Sequence, residues 1–473
     1  MHRNTFHFSP EKNWMNDPNG LVYYRGEYHL FYQYNPCDVV WGPMHWGHAV
    51  SVDLMHWEHL PVALYPDPLG TIFSGSVVVD WNDSTGFFNG GSGLVAVFTH
   101  HGPQKEVQSI AYSTDNGRSW TKYKNNPVID NPGKKDFRDP KVFYHDSSKK
   151  WIAVIACGNS ICFYSSVNLI SWDFESEFKD HNAVFEGPWE CPDLFSPGID
   201  GNEADKKWVL KIDIGNGALA GGSGGMYYIG EFDGKSFVRD DPGGSHKWID
   251  YSQDFYAAQT WSDTFEKQNR HIWVGWMNNW LYANKTPAQG FRGMMSLPRE
   301  LSLKKLSDEL FLIQRPVREV ANLRKDAVCE DNIVIGSYKS YQLDSSVKAV
   351  EISAEVQYDQ AAGFSMEISF GNDETVVISV DGENEEIILD RSKSGNVGFS
   401  HYFKDIFHAP LIQVKEYIKL NIFVDMNAIE VFVDEGMITM SSLIFPRECV
   451  KSVKISAISE DVVLKNLKIY NLS

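Results

Sequence analysis

Three carboxylic acids stand where acids can do chemistry: Asp17, Asp139 and Glu190. Asp17 lies in Trp14-Met15-Asn16-Asp17-Pro18-Asn19-Gly20. Pro18 fixes the backbone behind the acid and withholds an N–H, and Asn19-Gly20 is a turn signal. An Asp before such a turn can also be a plain turn former. Asp139 lies in Phe137-Arg138-Asp139-Pro140, ahead of the apolar run Val142-Phe143-Tyr144. Arg138 can hold a neighbouring carboxylate ionised, or the two can form a structural ion pair. Glu190 lies in Trp189-Glu190-Cys191-Pro192-Asp193. If buried among these apolar neighbours it would stay protonated, as a general acid must near neutral pH; the alternative is a solvated loop glutamate. Cleavage of a glycosidic bond uses such a set. One carboxylic acid protonates the leaving oxygen, and one carboxylate attacks the anomeric carbon. A third can accept hydrogen bonds from sugar hydroxyls.

Acids this far apart in the chain need a fold that gathers them, and the sequence repeats itself in a way that does so. A polar or acidic residue precedes an apolar run at Asp17, Ser74, Asp139, Glu190 and Asp254, at steps of 57, 65, 51 and 64 residues. Segments 51–57, 113–120 and 166–172 also resemble one another: each ends a strand, turns through polar residues and opens the next strand on Trp57, Trp120 or Trp172. Helical periodicity is scarce, and short apolar runs broken by Gly, Asn, Asp and Pro read as antiparallel strands. Repeats of this length fit four-stranded propeller blades. The expectation is therefore an all-β chain. Residues 1–313 would form a five-bladed β-propeller whose strand starts meet at one mouth of a central channel. Residues 314–331 read as a linker. Residues 332–473 carry alternating strands without tryptophan and read as a C-terminal β-sandwich.

Composition narrows the function further. The 473 residues carry 43 basic against 62 acidic side chains, a net charge of −19. Such a field repels phosphate backbones and anionic lipid, so no nucleic-acid or membrane partner is expected. The 15 tryptophans suit packing between sheets and platforms for sugar rings. Six scattered cysteines show no Cys-x-x-Cys pair, so free, mostly buried thiols are expected rather than zinc or a disulfide framework. His45 and His48 have metal-like spacing but lie in an aromatic strand, and no metal or cofactor is expected. His100 and His101 read as loop residues at a strand end. The Gly-rich stretch 215–225 has no Lys-Ser/Thr behind it, so it reads as a loop near the channel mouth rather than a phosphate loop. The first residues hold no apolar signal core, which fits a cytoplasmic protein if Met1 is native, or a secreted one if a signal has been removed.

The motif string as a whole resembles the signature set of glycoside hydrolase family 32, the invertase, inulinase and levanase group. The matching segments are Trp14-Met15-Asn16-Asp17-Pro18-Asn19-Gly20, Phe73-Ser74-Gly75-Ser76, Arg138-Asp139-Pro140 and Glu190-Cys191-Pro192. Phe31-Tyr32-Gln33-Tyr34-Asn35-Pro36, Trp41-Gly42-Pro43-Met44-His45-Trp46-Gly47-His48, Asp254-Phe255-Tyr256-Ala257-Ala258-Gln259 and Gly275-Trp276-Met277-Asn278-Asn279-Trp280 continue the likeness. The resemblance implies a carbohydrate substrate, a fructan or sucrose, cleaved with retention at C2. Asp17 would be the nucleophile, Glu190 the acid and then the base, and Asp139 the group that grips fructose hydroxyls and stabilises the transition state. Trp14, Asn16, Gln33, Trp41, Phe73, Ser74, Arg138 and Trp280 would form the fructose pocket, and Cys191 would adjust the acidity of Glu190. The segments around Trp41 and Trp280 look more like exo-acting levanases and inulinases than dedicated invertases. A fructosyltransferase on the same scaffold, an inverting arabinan or xylan hydrolase and a non-catalytic sugar-binding propeller are the rival readings. The sandwich is a candidate surface for a homo-oligomer.

Overall fold

The structure is a computed structural model that describes residues 3–183, 185, 187–264, 270–359, 362–413 and 415–473. Its described residues are almost entirely strands and turns. Up to Pro316 the strands fall into five sheets. One strand of each, Asn13–Tyr24, Thr71–Asp80, Phe137–His145, Trp189–Phe195 and Tyr256–Thr260, is here called its inner strand. Each inner strand lies beside the next, and the fifth returns to the first. From each, further antiparallel strands run outward; in the third sheet they are Lys150–Cys157, Ile161–Ser166 and Trp172–Phe178.

The reason for this arrangement lies in the strands' burial. Central strands such as Gly93–His101 and Lys150–Cys157 are apolar on both faces. A sheet of that kind must be covered on both sides, which neighbouring sheets in a closed ring provide. Separate apolar cores accordingly fill the spaces between successive sheets, one built on Trp46, Val77 and Phe98, the next on Val97, Val142 and Ile155. The repeated turns share one device. The indole N–H groups of Trp57, Trp120 and Trp172 each donate to the carbonyl three residues back, at 2.9–3.0 Å, on Leu54, Gly117 and Leu169. The side chains of Asp53, Asp115 and Asn168 accept from backbone N–H groups of the same turns.

Beyond residue 323 two larger sheets face each other across a single core that includes Ile352, Val356, Met366, Ile422, Val431 and Ile455. Here the structure departs from the reading of residues 314–331 as linker. Glu309–Pro316 is the last strand of the fifth sheet, and Arg324–Glu330 is a strand paired with Val462–Leu472. Arg324–Glu330 is exposed at every position, so no apolar alternation marked it; the pairing edge of its partner defines it. The expectation of free, mostly buried thiols also needs correcting: Cys157 and Cys162 form a disulfide across a hairpin, and of the four free cysteines only Cys191 is buried, with Cys37 and Cys329 exposed.

The two parts are joined by buried charge. Arg299 of the fifth sheet bonds Glu430 and the Ser441 hydroxyl, and Arg391 bonds Asp254 and Gln253 next to the fifth inner strand. His7 bridges Asp425 and Glu430, with ring nitrogens 3.1 and 2.9 Å from the carboxylates.

Candidate active site

All five inner strands carry the same kind of irregularity. Pairing with the neighbouring strand skips between Met15 and Pro18, Ile72 and Gly75, Glu190 and Asp193, and Tyr256 and Gln259. In the third sheet it skips between the partners of Lys141 and Arg138. Such a bulge leaves residues without a ladder partner and re-aims their side chains. Asp17, Ser74, Asp139, Cys191 and Ala257 fall in these skips. Pro140 and Pro192 occupy the following positions, where no N–H is needed. Asp139, Cys191 and Ala257 hold left-handed backbone, with φ of 61°, 46° and 56°. Non-glycine residues adopt that conformation at a cost that the surrounding structure must sustain.

The skips of the first three inner strands open on one cavity of about 560 Å³, which Glu190, at the edge of the fourth, also lines. Asn16, Asp17, Gln33, Trp41, Phe73, Ser74, Arg138, Asp139, Glu190 and Trp280 all line it. The remaining two expected residues stand directly behind that wall. Trp14 is fully buried, stacks on Trp280 and donates from its indole N–H to Asn16 Oδ1 at 2.7 Å. Cys191 is also buried, between two of the acids.

Asp17 is held from both sides. Its Oδ1 accepts from Asn16 Nδ2 at 3.0 Å and its Oδ2 from the Ser74 hydroxyl at 2.8 Å. The Cys191 thiol lies 3.6 Å from Asp17 Oδ2 and 3.6 Å from Asp139 Oδ2. The Cys191 N–H donates to Asp139 Oδ2 at 3.0 Å. Burial pushes the Asp139 carboxyl up to about 8; Arg138 opposes this, while the Glu190 and Asp17 carboxylates add to it.

Arg138 does not hydrogen-bond its sequence neighbour Asp139, as the Arg-Asp motif suggested. Its Nη2 donates to Glu190 Oε1 at 3.0 Å, and its Nη1 to Glu106 and Asp136 at 3.0 and 2.8 Å. Glu190 Oε2 accepts from the Tyr256 hydroxyl. Glu106, Asp136 and Tyr256 were not singled out as site residues by sequence reading, although Tyr256 lies inside a quoted motif. His101, read as a loop residue, also lines the cavity; its ring stacks flat on Phe73 with centroids 4.2 Å apart and bonds Glu106. Gly215, from the Gly-rich stretch, closes the wall beside Glu190. His48 is buried against His29, with Nε2 3.0 Å from His29 Nδ1.

The arrangement can deliver an attacking carboxylate, a proton donor on a different sheet, and a third acid between them, in a hollow large enough for a sugar ring. Comparison with known proteins agrees. Residues 7–316 match the glycosyl hydrolases family 32 N-terminal domain, and residues 319–471 match the family 32 C-terminal domain. A levanase of Bacillus subtilis is 48% identical over 476 residues, covering 100% of this chain and 70% of its own. An extracellular exo-inulinase of Aspergillus niger is 38% identical, covering 94% of this chain and 90% of its own. Among solved structures, an exo-inulinase of Aspergillus awamori superposes with a TM-score of 0.91 at 35% identity, covering 100% of this chain and 98% of that one. A β-fructofuranosidase of Schwanniomyces occidentalis, complexed with fructosyl-erythritol, gives 0.92 at 32% identity over 99% and 97% of the two chains. The chain is a member of glycosyl hydrolase family 32.

Proposed function

We propose that this protein is a retaining β-fructosidase that releases terminal fructose from fructans, fructo-oligosaccharides or sucrose. One observation carries the reading: Asp17, Asp139 and Glu190 come from three separate sheets and line one cavity. The levanase, exo-inulinase and β-fructofuranosidase relatives supply the substrate class. In the first step Asp17 attacks C2 of the terminal fructose while Glu190 protonates the glycosidic oxygen. The C2–O bond breaks and a fructosyl ester forms on Asp17. In the second step Glu190 takes a proton from water, the water oxygen attacks C2, and the ester breaks. Two displacements on one carbon give net retention. Asp139 would bond the fructose hydroxyls and offset charge at the oxocarbenium-like transition state, and Trp280 and Phe73 would face the ring. Five sheets in a closed ring support a five-bladed propeller, and the strand at 324–330 supports a boundary with the sandwich at 317–323. The names of the fungal relatives support an extracellular site of action.

Sucrose, an inulin-type oligosaccharide and levan, each incubated with the protein and resolved by product length, test the reading. Free fructose as the first product from all three is expected. A ladder of oligosaccharides would overturn exo action, and no release from any of them would overturn the assignment. Methanol as competing acceptor should give the methyl β-fructofuranoside; the α-anomer would overturn retention.

A further inference from the structure

Beneath the three acids lies a charged pair that the double displacement does not use. Lys211 and Asp213 stand on the strand Trp208–Ile214, with side chains 0% and 1% exposed. They flank the bulge of the fourth inner strand, since Asp213 is the partner of Glu190 and Lys211 the partner of Asp193. Between those partners Cys191 has no ladder partner, so its carbonyl needs a donor from elsewhere. Lys211 Nζ supplies one at 2.9 Å, and its other contact is Asp213. Gln259 Nε2 is a second donor at 3.2 Å, but it is shared with the Pro192 carbonyl at 3.0 Å.

We propose that Lys211, backed by Asp213, is a positioning residue: its ammonium clamps the Cys191 carbonyl and so aims the Cys191 N–H and thiol at Asp139 and Asp17. Three points support this. A buried ion pair is a poor source of stability, because apolar residues of equal volume serve as well. A left-handed cysteine needs its peptide groups held on both sides, and here Asp139 holds the N–H while Lys211 holds the carbonyl. The adjacent residue is Glu190, so any rotation of the Cys191 peptide also moves the proton donor. The same pocket of charge contains Asp193 and Lys141, 3.3 Å apart, but Lys141 is turned to Thr260 and makes no bond to Cys191.

The kinetic part of the test rests on the fructosidase reading; the spectroscopic part does not. K211M/D213N removes the pair at nearly constant volume and leaves no unpaired charge. Its melting temperature should stay near that of the wild type, while kcat on sucrose falls about tenfold to a hundredfold with KM within about twofold. With six cysteines in the chain, selective 15N-cysteine labelling isolates the Cys191 amide, whose hydrogen exchange should quicken at least about tenfold when the clamp is lost. K211Q/D213N returns a neutral donor without a charge and should recover part of both losses. Wild-type kcat and wild-type Cys191 protection in K211M/D213N would overturn the proposal. So would equal losses in the methionine and glutamine variants, since packing rather than a donor would then be the cause. If the wild-type protein cleaves no fructoside, the reading of the cavity fails, and the amide measurement alone decides the clamp.

Discussion

Asp139 is 5% exposed, shares its neighbourhood with two other carboxyls, and has its pKa pushed by burial from 3.8 up to about 8. The consequence for stability has a definite sign. Between those two values the folded protein holds a proton on Asp139 that the unfolded chain has released, so the stability this group contributes is fully present below about 3.8 and is lost as pH rises through about 8. Asp139→Asn keeps the neutral shape and removes the titration. The variant should melt above the wild type at pH 8–9 and match it at pH 4, while turnover drops at least about 10²-fold. Identical melting curves at both pH values would contradict this. Glu190→Ala should lose most of its activity on sucrose but much less on a fructoside with an acidic phenol as leaving group, which departs without a proton. An equal loss on both would remove Glu190 from the acid role. Asp17→Ala should leave no turnover on either substrate while the fold, read by circular dichroism, is unchanged.

The elements that deliver these side chains are strands made irregular at one point, and their neighbours leave little freedom there. Gly20 shows it best. It follows the Asp17 bulge with φ at +56°, and a Cβ built on it lies 2.6 Å from Phe31 Cδ2 and 2.9 Å from Val77 Cγ2, both buried. Gly20→Ala therefore combines overpacking with left-handed strain, and should cost about 2–4 kcal/mol in urea unfolding. Ala257 presents the opposite case, being strained where glycine is not. Ala257→Gly should leave stability within about 1 kcal/mol of the wild type, because relief of strain offsets the added freedom of the unfolded chain. Much of this level was legible. The turn signals, the Asp-Pro and Cys-Pro pairs and the Trp-closed turns are local chemistry, encoded within a few residues. Arg324–Glu330 was not, since an exposed edge strand carries no apolar alternation to read.

Across the whole molecule, buried charges join the sandwich to the sheet ring more tightly than an accessory part requires. His7 has carboxylate oxygens within hydrogen-bond distance of both ring nitrogens, which demands a proton on each. Burial lowers its pKa, but the bonds to Asp425 and Glu430 outweigh that and raise it from 6.5 to about 9. A raised histidine stabilises fully below 6.5, and its contribution disappears as pH climbs through about 9. His7→Leu leaves both acids short of a partner and should cost about 3 kcal/mol at pH 6. The difference from the wild type should shrink toward pH 10; a constant difference would show that packing, not charge, is at work. Deleting the sandwich would also unpair Asp254 from Arg391 and Asp250 from Ser441, beside the inner strand that carries Tyr256. That loss reaches the catalytic wall, which the sequence pattern of a separate, tryptophan-free sandwich did not suggest.

By itself, the amino-acid sequence identified ten of the residues that line the sugar-sized cavity, because local turn signals and a place at the head of a repeat mark the segments that carry the acids. Only the tertiary structure decided which groups touch. Arg138 bonds Glu190, Glu106 and Asp136 rather than Asp139, Tyr256 and His101 join the site, and Lys211 reaches the Cys191 carbonyl. Those contacts depend on where each strand skips a partner and on which face a side chain then takes. Such offsets are set by neighbouring sheets, and no local run of residues records them.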